Sequence, residues 1–244
     1  MVGTGHSWSD ICATNEALLN LDNYNKIIFI DKENKIVKVQ SGIKLWHLNN
    51  LLDEAGLALI NLGSIDQQSL AGAISTGTHG TGIQFQILGS QMLEFNLIKA
   101  DGTKLIINKE KDTALFNACV VNLGCLGIIS AITLQVTDAF TLHDYTTTIS
   151  FDEVIENIDI YLKENDHFKL WWLPPSKDII VFRYQRTNEK PNDSKFRVFL
   201  KDHLLSVVIY RSLVFIAKLF PFIAKSLNRL LTWNMKGPLD IQNH

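Results

Sequence analysis

The sequence predicts an α+β protein of two domains. β-Hairpins are interleaved with short helices, with none of the regular strand–helix alternation of a doubly wound parallel sheet. Of the 244 residues 46% are hydrophobic, enough for one sizeable core or two modest ones. A second set of strand, helix and strand patterns opens near Asp138, which divides the chain into residues 1–138 and 139–244.

The elements follow in order. Lys26–Asp31 and Ile36–Gln40 are β-branched runs around Lys32-Glu33-Asn34-Lys35, a hairpin pattern. Within Ile43–Ala55, Leu45, Leu48, Leu52 and Ala55 recur at helical spacing, and Gly56 stands where a left-handed C-terminal cap is wanted. Met92–Lys99 and Lys104–Asn108 flank Asp101-Gly102, a pair suited to the positive φ angles of a tight hairpin turn. Asp112–Val120 reads as a short helix and Ile128–Val136 as a strand. In the second part Phe140–Ile149 is a strand, and Phe151–Lys163 a helix with Val154, Ile158 and Leu162 on one face. Phe168–Trp172 and Ile179–Arg186 are strands around Pro174-Pro175-Ser176-Lys177, and Trp171 and Trp172 should point to opposite faces.

Charge is unevenly spread. Residues 1–194 carry 15 Lys/Arg against 23 Asp/Glu, whereas residues 195–244 carry 8 against 2. An acidic main body argues against nucleic acid, which needs a basic face. Cys12, Cys119 and Cys125 form no Cys-x-x-Cys pair, and the His residues show no ligand spacing, so neither a disulfide framework nor a metal site is expected. A reducing, cytoplasmic location fits this cysteine usage, and the first residues lack the pattern of a signal peptide. The apolar tail, residues 198–233, is interrupted by Arg211, Lys218, Lys225 and Arg229 at intervals of 7, 7 and 4, too often for a spanning helix. Those intervals place the cations on one helical face opposite Leu, Ile and Phe, with Pro221 dividing the helix. Packing within a protein core and peripheral contact with a membrane both remain open for it.

Two segments carry the chemistry, Gly3-Thr4-Gly5-His6-Ser7 and the stretch from Ser64 to Gly82. Dense glycine lets backbone N–H groups converge on phosphate oxygens, and Ser and Thr hydroxyls add donors. Surface turns have the same composition, so that reading stands beside a pyrophosphate cradle. Gly77-x-x-Gly80-x-Gly82 reverses the spacing of the dinucleotide fingerprint, which sets the Rossmann fold aside.

Taken in order, Gly3-Thr4-Gly5-His6-Ser7-Trp8-Ser9-Asp10, Leu62-Gly63-Ser64-Ile65, Ala71-Gly72, Thr76-Gly77-Thr78-His79-Gly80-Thr81-Gly82, Ala100-Asp101-Gly102 and Leu123 to Ile129 closely resemble the vanillyl-alcohol-oxidase-type flavoproteins. The likeness is to their aldonolactone and alditol oxidase branch, and Leu170-Trp171-Trp172-Leu173-Pro174 with Tyr184 to Thr187 extends it into that branch's substrate domain. The resemblance implies a PCMH-type FAD-binding domain followed by a partial α+β substrate domain, and FAD as cofactor. It also implies hydride transfer from a CH–OH group of a sugar 1,4-lactone or alditol to flavin N5, with O2 as acceptor giving hydrogen peroxide.

Residue by residue, the resemblance implies that His6 bonds covalently to the flavin, within a loop formed with Gly3, Thr4 and Gly5. Ser7, Ser69, Gly72, Thr76, Gly77, Thr78 and His79 match positions around the pyrophosphate and flavin, and Ile129 would line the site through its backbone. Thr78 and His79 have the alternative of stabilising only their own turn. Gly63 matches the position that opens a path for oxygen, with backbone conformation as the competing reason for a glycine there, and Ser64 matches a contact to the substrate hydroxyl.

The chain departs from the family at both ends. The strand–helix–strand that precedes the first motif has no counterpart, and neither do the late acidic, basic and His-Trp-Gly-Lys motifs of the substrate domain. An incomplete enzyme, alone or completed by a separate polypeptide, or a flavin-binding chain without turnover is the expectation.

Overall fold

The computed structural model describes residues 1–190, 208, 210–234 and 240–243. Two compact units are present, one comprising Met1–Thr81 and Phe85–Ala139, the other Gly82–Gln84 and Phe140–His244.

The first unit is built on a five-stranded antiparallel sheet. Its strands are β1 (Ile27–Asp31), β2 (Ile36–Gln40), β4 (Met92–Ile98), β5 (Lys104–Asn108) and β6 (Ile128–Gln135), in the order β1-β2-β6-β4-β5. β2 alternates as a half-buried strand must, with Val37 and Val39 inaccessible to solvent. Helices α1 (Leu45–Glu54), α2 (Leu70–Ser75) and α3 (Thr113–Val120) cover the apolar side. Leu45, Leu48 and Leu52 of α1 join Ile74, Phe95, Phe116 and Ile132 in one continuous core, with the rings of Phe95 and Phe116 5.5 Å apart. Gly56 takes φ +77°, the left-handed cap that the helical spacing anticipated.

The β4–β5 turn differs from expectation. Gly102 has φ +81°, but Asp101 keeps a negative φ. The turn runs from Lys99 to Thr103, longer than a two-residue type I′ turn, with the Thr103 carbonyl accepting from Lys99 N at 2.9 Å. Asp101 contributes its carboxylate instead of a left-handed backbone, accepting from Thr103 N at 2.9 Å and from Lys99 Nζ at 3.2 Å.

Two short strands, β3 (Leu57–Ala58) and β7 (Thr137–Asp138), pair with each other across about 80 residues of sequence. No local pattern announces them.

The second unit holds β8 (Thr141–Ser150), β9 (His167–Trp172), β10 (Asp178–Thr187) and β11 (Asp240–Asn243), ordered β11-β8-β10-β9 and antiparallel throughout. Helix α4 (Phe151–Glu164) starts at Ser150, whose Oγ accepts from Glu153 N at 3.3 Å. Its Val154 is fully buried against Ile179 and Val181, with Ile149, Phe168 and Leu170 around them. Trp172 lies by Phe151 of this helix, whereas Trp171 meets Phe182 at 4.9 Å on the opposite face of the sheet.

The apolar tail is described from residue 210; the expectation for residues 198–207 and for residue 209 lies outside the described residues. Helix α5 (Tyr210–Leu219) ends before Pro221, a 3-10 turn follows at Pro221–Ile223, and α6 (Ala224–Asn234) begins after it. The cations are therefore divided between two helices, and the apolar side chains of α5 lie among them at the surface, correcting the single face with an opposed apolar side. Among the described residues no helix is long and apolar enough to cross a membrane.

Candidate functional site: a glycine-rich cleft in the first unit

The cleft is assembled from four chain segments, each fixed by local bonds. The first is the N-terminal loop. Val2 N donates to the Leu19 carbonyl at 3.0 Å and forms an isolated parallel bridge with Asn20. Beyond it Gly3 to Ser7 runs exposed along the cleft, with Gly5 at φ +71°. The second segment is the end of β2. Ser41 is buried and its hydroxyl donates to the Ile129 carbonyl at 2.5 Å. Gly42 has no room for a Cβ, which would meet the Leu21 and Tyr24 carbonyl oxygens.

The third segment is Asp66 to Thr76. The first N–H groups of α1 find their partners here, Leu45 N donating to the Gln68 carbonyl at 3.0 Å and Trp46 N to that of Asp66 at 2.9 Å. This pins the extended run that delivers Ser69 to the start of α2. Leu70 N and Ala71 N donate to the carbonyls of Ile43 and Ser41. Ser69 is extended, at φ −71° and ψ 141°, and its hydroxyl does not cap α2. The fourth segment is the turn at Leu123 and Gly124, which have φ +53° and +81°. Asn122 shapes it, accepting from Gly124 N at 2.6 Å and donating to the Cys119 carbonyl at 2.8 Å.

Together these segments enclose a cleft of about 350 Å³. Of the residues singled out from the sequence, Gly3, Thr4, Gly5, His6, Ser7, Ser69, Gly72 and Thr76 line it. The wall is bare at the two places that matter most. A Cβ on Gly3 would stand 2.5 Å from Ser69 Oγ, and one on Gly72 would stand 2.9 Å from the same atom. The Ser69 hydroxyl thus occupies the gap between two glycines and is free of helix capping, as a donor to a bound oxygen requires. Asp22, also on the lining, is ion-paired with Lys44, which together with Asn20 holds its carboxyl below the usual range. A wall of hydroxyls and backbone with this one carboxylate offset by a lysine fits the pyrophosphate part of a dinucleotide cofactor.

The other residues lie apart from the cleft lining. Ile129 is in β6, its side chain in the core and its carbonyl engaged by Ser41. Gly63, Ser64 and Gly77 to His79 belong to a neighbouring turn cluster. Its link to the cleft is Gln68, which lines the cleft while its amide donates to Thr78 Oγ1 at 3.4 Å. A Cβ on Gly63 would meet Thr78 Cγ2 at 3.2 Å and the His79 carbonyl at 3.4 Å, so packing against that turn, not a positive φ, accounts for the glycine. Gly80 leaves no space for a side chain beside the Leu62 carbonyl and Asn61 Oδ1. His79 Nδ1 donates to the Gly80 carbonyl at 2.9 Å. Ser64 is exposed.

Ser41, Gln68, Ser75, Leu123, Gly124 and Cys125 also line the cleft and were missed as site residues. Gly124 and Gly127, three apart in Leu123-Gly124-Cys125-Leu126-Gly127, were the available signal for the last three. Nothing local marks Ser41, whose role depends on a partner 88 residues away.

In the second unit the sheet face opposite α4 gathers perturbed ionisable groups. Tyr184 is paired in register with Asp144, and its phenol is pushed up to about 12, first by burial and then by that carboxylate. Lys169 lies 4.5 Å from the Phe182 ring and 5.0 Å from that of Trp171. Burial pulls its ammonium below the ordinary value, with Asp144 opposing. Among the described residues no group of His, Cys, Asp and Glu could hold a metal ion.

Comparison with known proteins covers most of the chain. Residues 1–108 match the family described as FAD binding domain, and residues 132–244 match that described as D-arabinono-1,4-lactone oxidase. The L-gulonolactone oxidase of Mus musculus is 34% identical over 233 residues, covering 96% of this chain and 52% of its own length. The L-gulono-1,4-lactone dehydrogenase of Mycobacterium tuberculosis is 32% identical over 247 residues, covering 99% and 56%. A crystal structure of cholesterol oxidase from B. sterolicum has the same fold, with a TM-score of 0.75 at 15% identity over 95% of this chain and 49% of that one. The chain spans about half the length of the curated relatives it matches, and over that span it resembles the FAD-linked oxidases of the aldonolactone oxidase branch.

Proposed function

We propose that this chain carries the FAD site and part of the substrate domain of an oxidoreductase acting on a CH–OH group of a sugar 1,4-lactone or alditol. The observation that carries the reading is the cleft in which Gly3 and Gly72 close around the Ser69 hydroxyl, inside the segment matching the FAD binding domain. When bound, the flavin supplies acceptance of a hydride at N5 and return of the electrons to O2 as hydrogen peroxide. Ser69, Thr4 and Ser7 donate to the pyrophosphate, and the bare backbone at Gly3 and Gly72 admits it. His6, exposed on the lining, is the attachment point for the flavin ring. Ser64 orients the substrate hydroxyl. Relatives named as an oxidase and as a dehydrogenase match at similar identity, and oxygen as acceptor is carried here by the likeness to those named as oxidases.

A second reading is a flavin-binding chain without turnover. Anaerobic mixing of the flavin-loaded chain with L-gulono- or D-arabinono-1,4-lactone separates the two. The chain alone should keep its flavin colour, and joining it to the remaining half of a relative should give bleaching, then peroxide when air is admitted. Unbleached flavin in the completed protein would contradict the lactone reading.

A further inference from the structure

We infer that Asp22 reads the adenosine ribose of the cofactor, its carboxylate accepting from both hydroxyls of the ribose cis-diol, while Lys44 positions and neutralises that carboxylate beside the pyrophosphate. The inference goes one step past the cleft reading and rests on it. Asp22 is the only carboxylate among the described residues of the lining, which include no Lys or Arg. A carboxylate and a pyrophosphate can both only accept hydrogen bonds, so Asp22 requires a donor elsewhere on the bound molecule. The donors of FAD are the adenine amino group, the flavin N3–H and the sugar hydroxyls. Of these the ribose diol offers two side by side on a rigid ring, as two fixed carboxylate oxygens require, whereas the ribityl chain sets its hydroxyls by free rotation. An acidic side chain on a ribose hydroxyl is also how dinucleotide folds of another kind solve the same problem.

The carboxylate is held from both sides. Asn20 Nδ2 donates to Oδ2 at 3.0 Å, Asp22 N donates back to Asn20 Oδ1 at 2.6 Å, and Lys44 Nζ pairs with Oδ1. One protein donor on each oxygen leaves each a free lone pair, and the side chain is 54% exposed. Both supports lead to the walls of the cleft. Asn20 forms the parallel bridge with Val2 from which the Gly3 to Ser7 loop sets out, and Lys44 forms an isolated antiparallel bridge with Ser69. The diol acceptor is thereby tied to the two segments that donate to the pyrophosphate. Lys44 is not on the lining, so its ammonium acts through Asp22, offsetting a charge that would otherwise repel the phosphates.

Calorimetric titration of the flavin-free 244-residue chain with FAD, FMN, ADP and 2′-deoxy-ADP tests this. ADP should bind about tenfold more tightly than its deoxy analogue. Asp22→Asn should erase that preference and lower FAD affinity about tenfold without weakening FMN, with circular dichroism unchanged because the side chain is exposed. Lys44→Met should weaken FAD binding, most at low salt, and adding Asp22→Asn should return affinity to that of Asp22→Asn alone. Equal or absent binding of the two nucleotides, or a preference that survives in Asp22→Asn, would overturn the role of Asp22 while FAD binding by the unaltered chain stands. FMN weakened as much as FAD would place the diol in the ribityl chain and overturn the ribose assignment. Additive losses at Lys44 and Asp22 would overturn the positioning role of the lysine. No FAD binding by the unaltered chain would remove the cleft reading and this one with it.

Discussion

The Ser69 hydroxyl sets the tolerance of the cleft, because two glycines face it at distances no Cβ could share without displacing it. Gly72 allows binding and folding to be separated. In the interior of α2, Gly72→Ala favours the helix by about 0.5–1 kcal/mol, while its Cβ drives the Ser69 hydroxyl to another rotamer. The expected outcome is unchanged or higher thermal stability with FAD affinity lowered about tenfold, measured by flavin fluorescence titration. Ser69→Ala should lower affinity similarly, and the double variant should be little worse than either single one, since both act on one hydroxyl. A fully additive loss would mean that Gly72 acts elsewhere. At His6 the outcome is read by eye: acid-denatured protein should keep flavin on the polypeptide, and His6→Ala should release it. The loop glycines were legible as a run able to line a cleft because that pattern is local, whereas His6 was singled out only by the resemblance of its motif. The reason for Gly63 was not legible, since it lies in a methyl group fifteen residues away.

Hairpins and helices were legible where the pattern was short-ranged. The alternation of β2 and the leucine spacing of α1 translate directly into buried faces, and Pro221 divides the tail as its missing N–H demands. β3, β7 and β11 were illegible, since strands of 2 to 4 residues owe their existence to remote partners. The Asp101 turn was half legible, with the right residues in a different role. Its carboxyl is held at about 2 by the Thr103 N–H and hydroxyl and by Lys99. A depressed folded-state value stabilises the hairpin above the ordinary 3.8, and that contribution disappears as pH falls toward 2. Amide protection in β4 and β5 should therefore weaken over that interval, and Asp101→Asn should flatten the dependence. An identical pH profile in the variant would remove the turn carboxylate from the account.

At the scale of the whole molecule, the chain combines a helix-covered antiparallel sheet bearing the glycine-rich cleft with a second antiparallel unit in which burial shifts Tyr184 and Lys169. Composition predicted neither location, because it reports how much core can form and not which segments meet. The four segments of the cleft are drawn from residues 1–22, 41, 68–76 and 123–125, and only the folded sheet brings them together. The central claim is that this assembled cleft holds FAD. Titration of the 244-residue chain with FAD, followed by quenching of flavin fluorescence, tests it most directly alongside Gly72→Val. The account predicts saturable binding at one flavin per chain that Gly72→Val abolishes while circular dichroism stays the same. Absence of saturable binding, or equal binding by the variant, would contradict it.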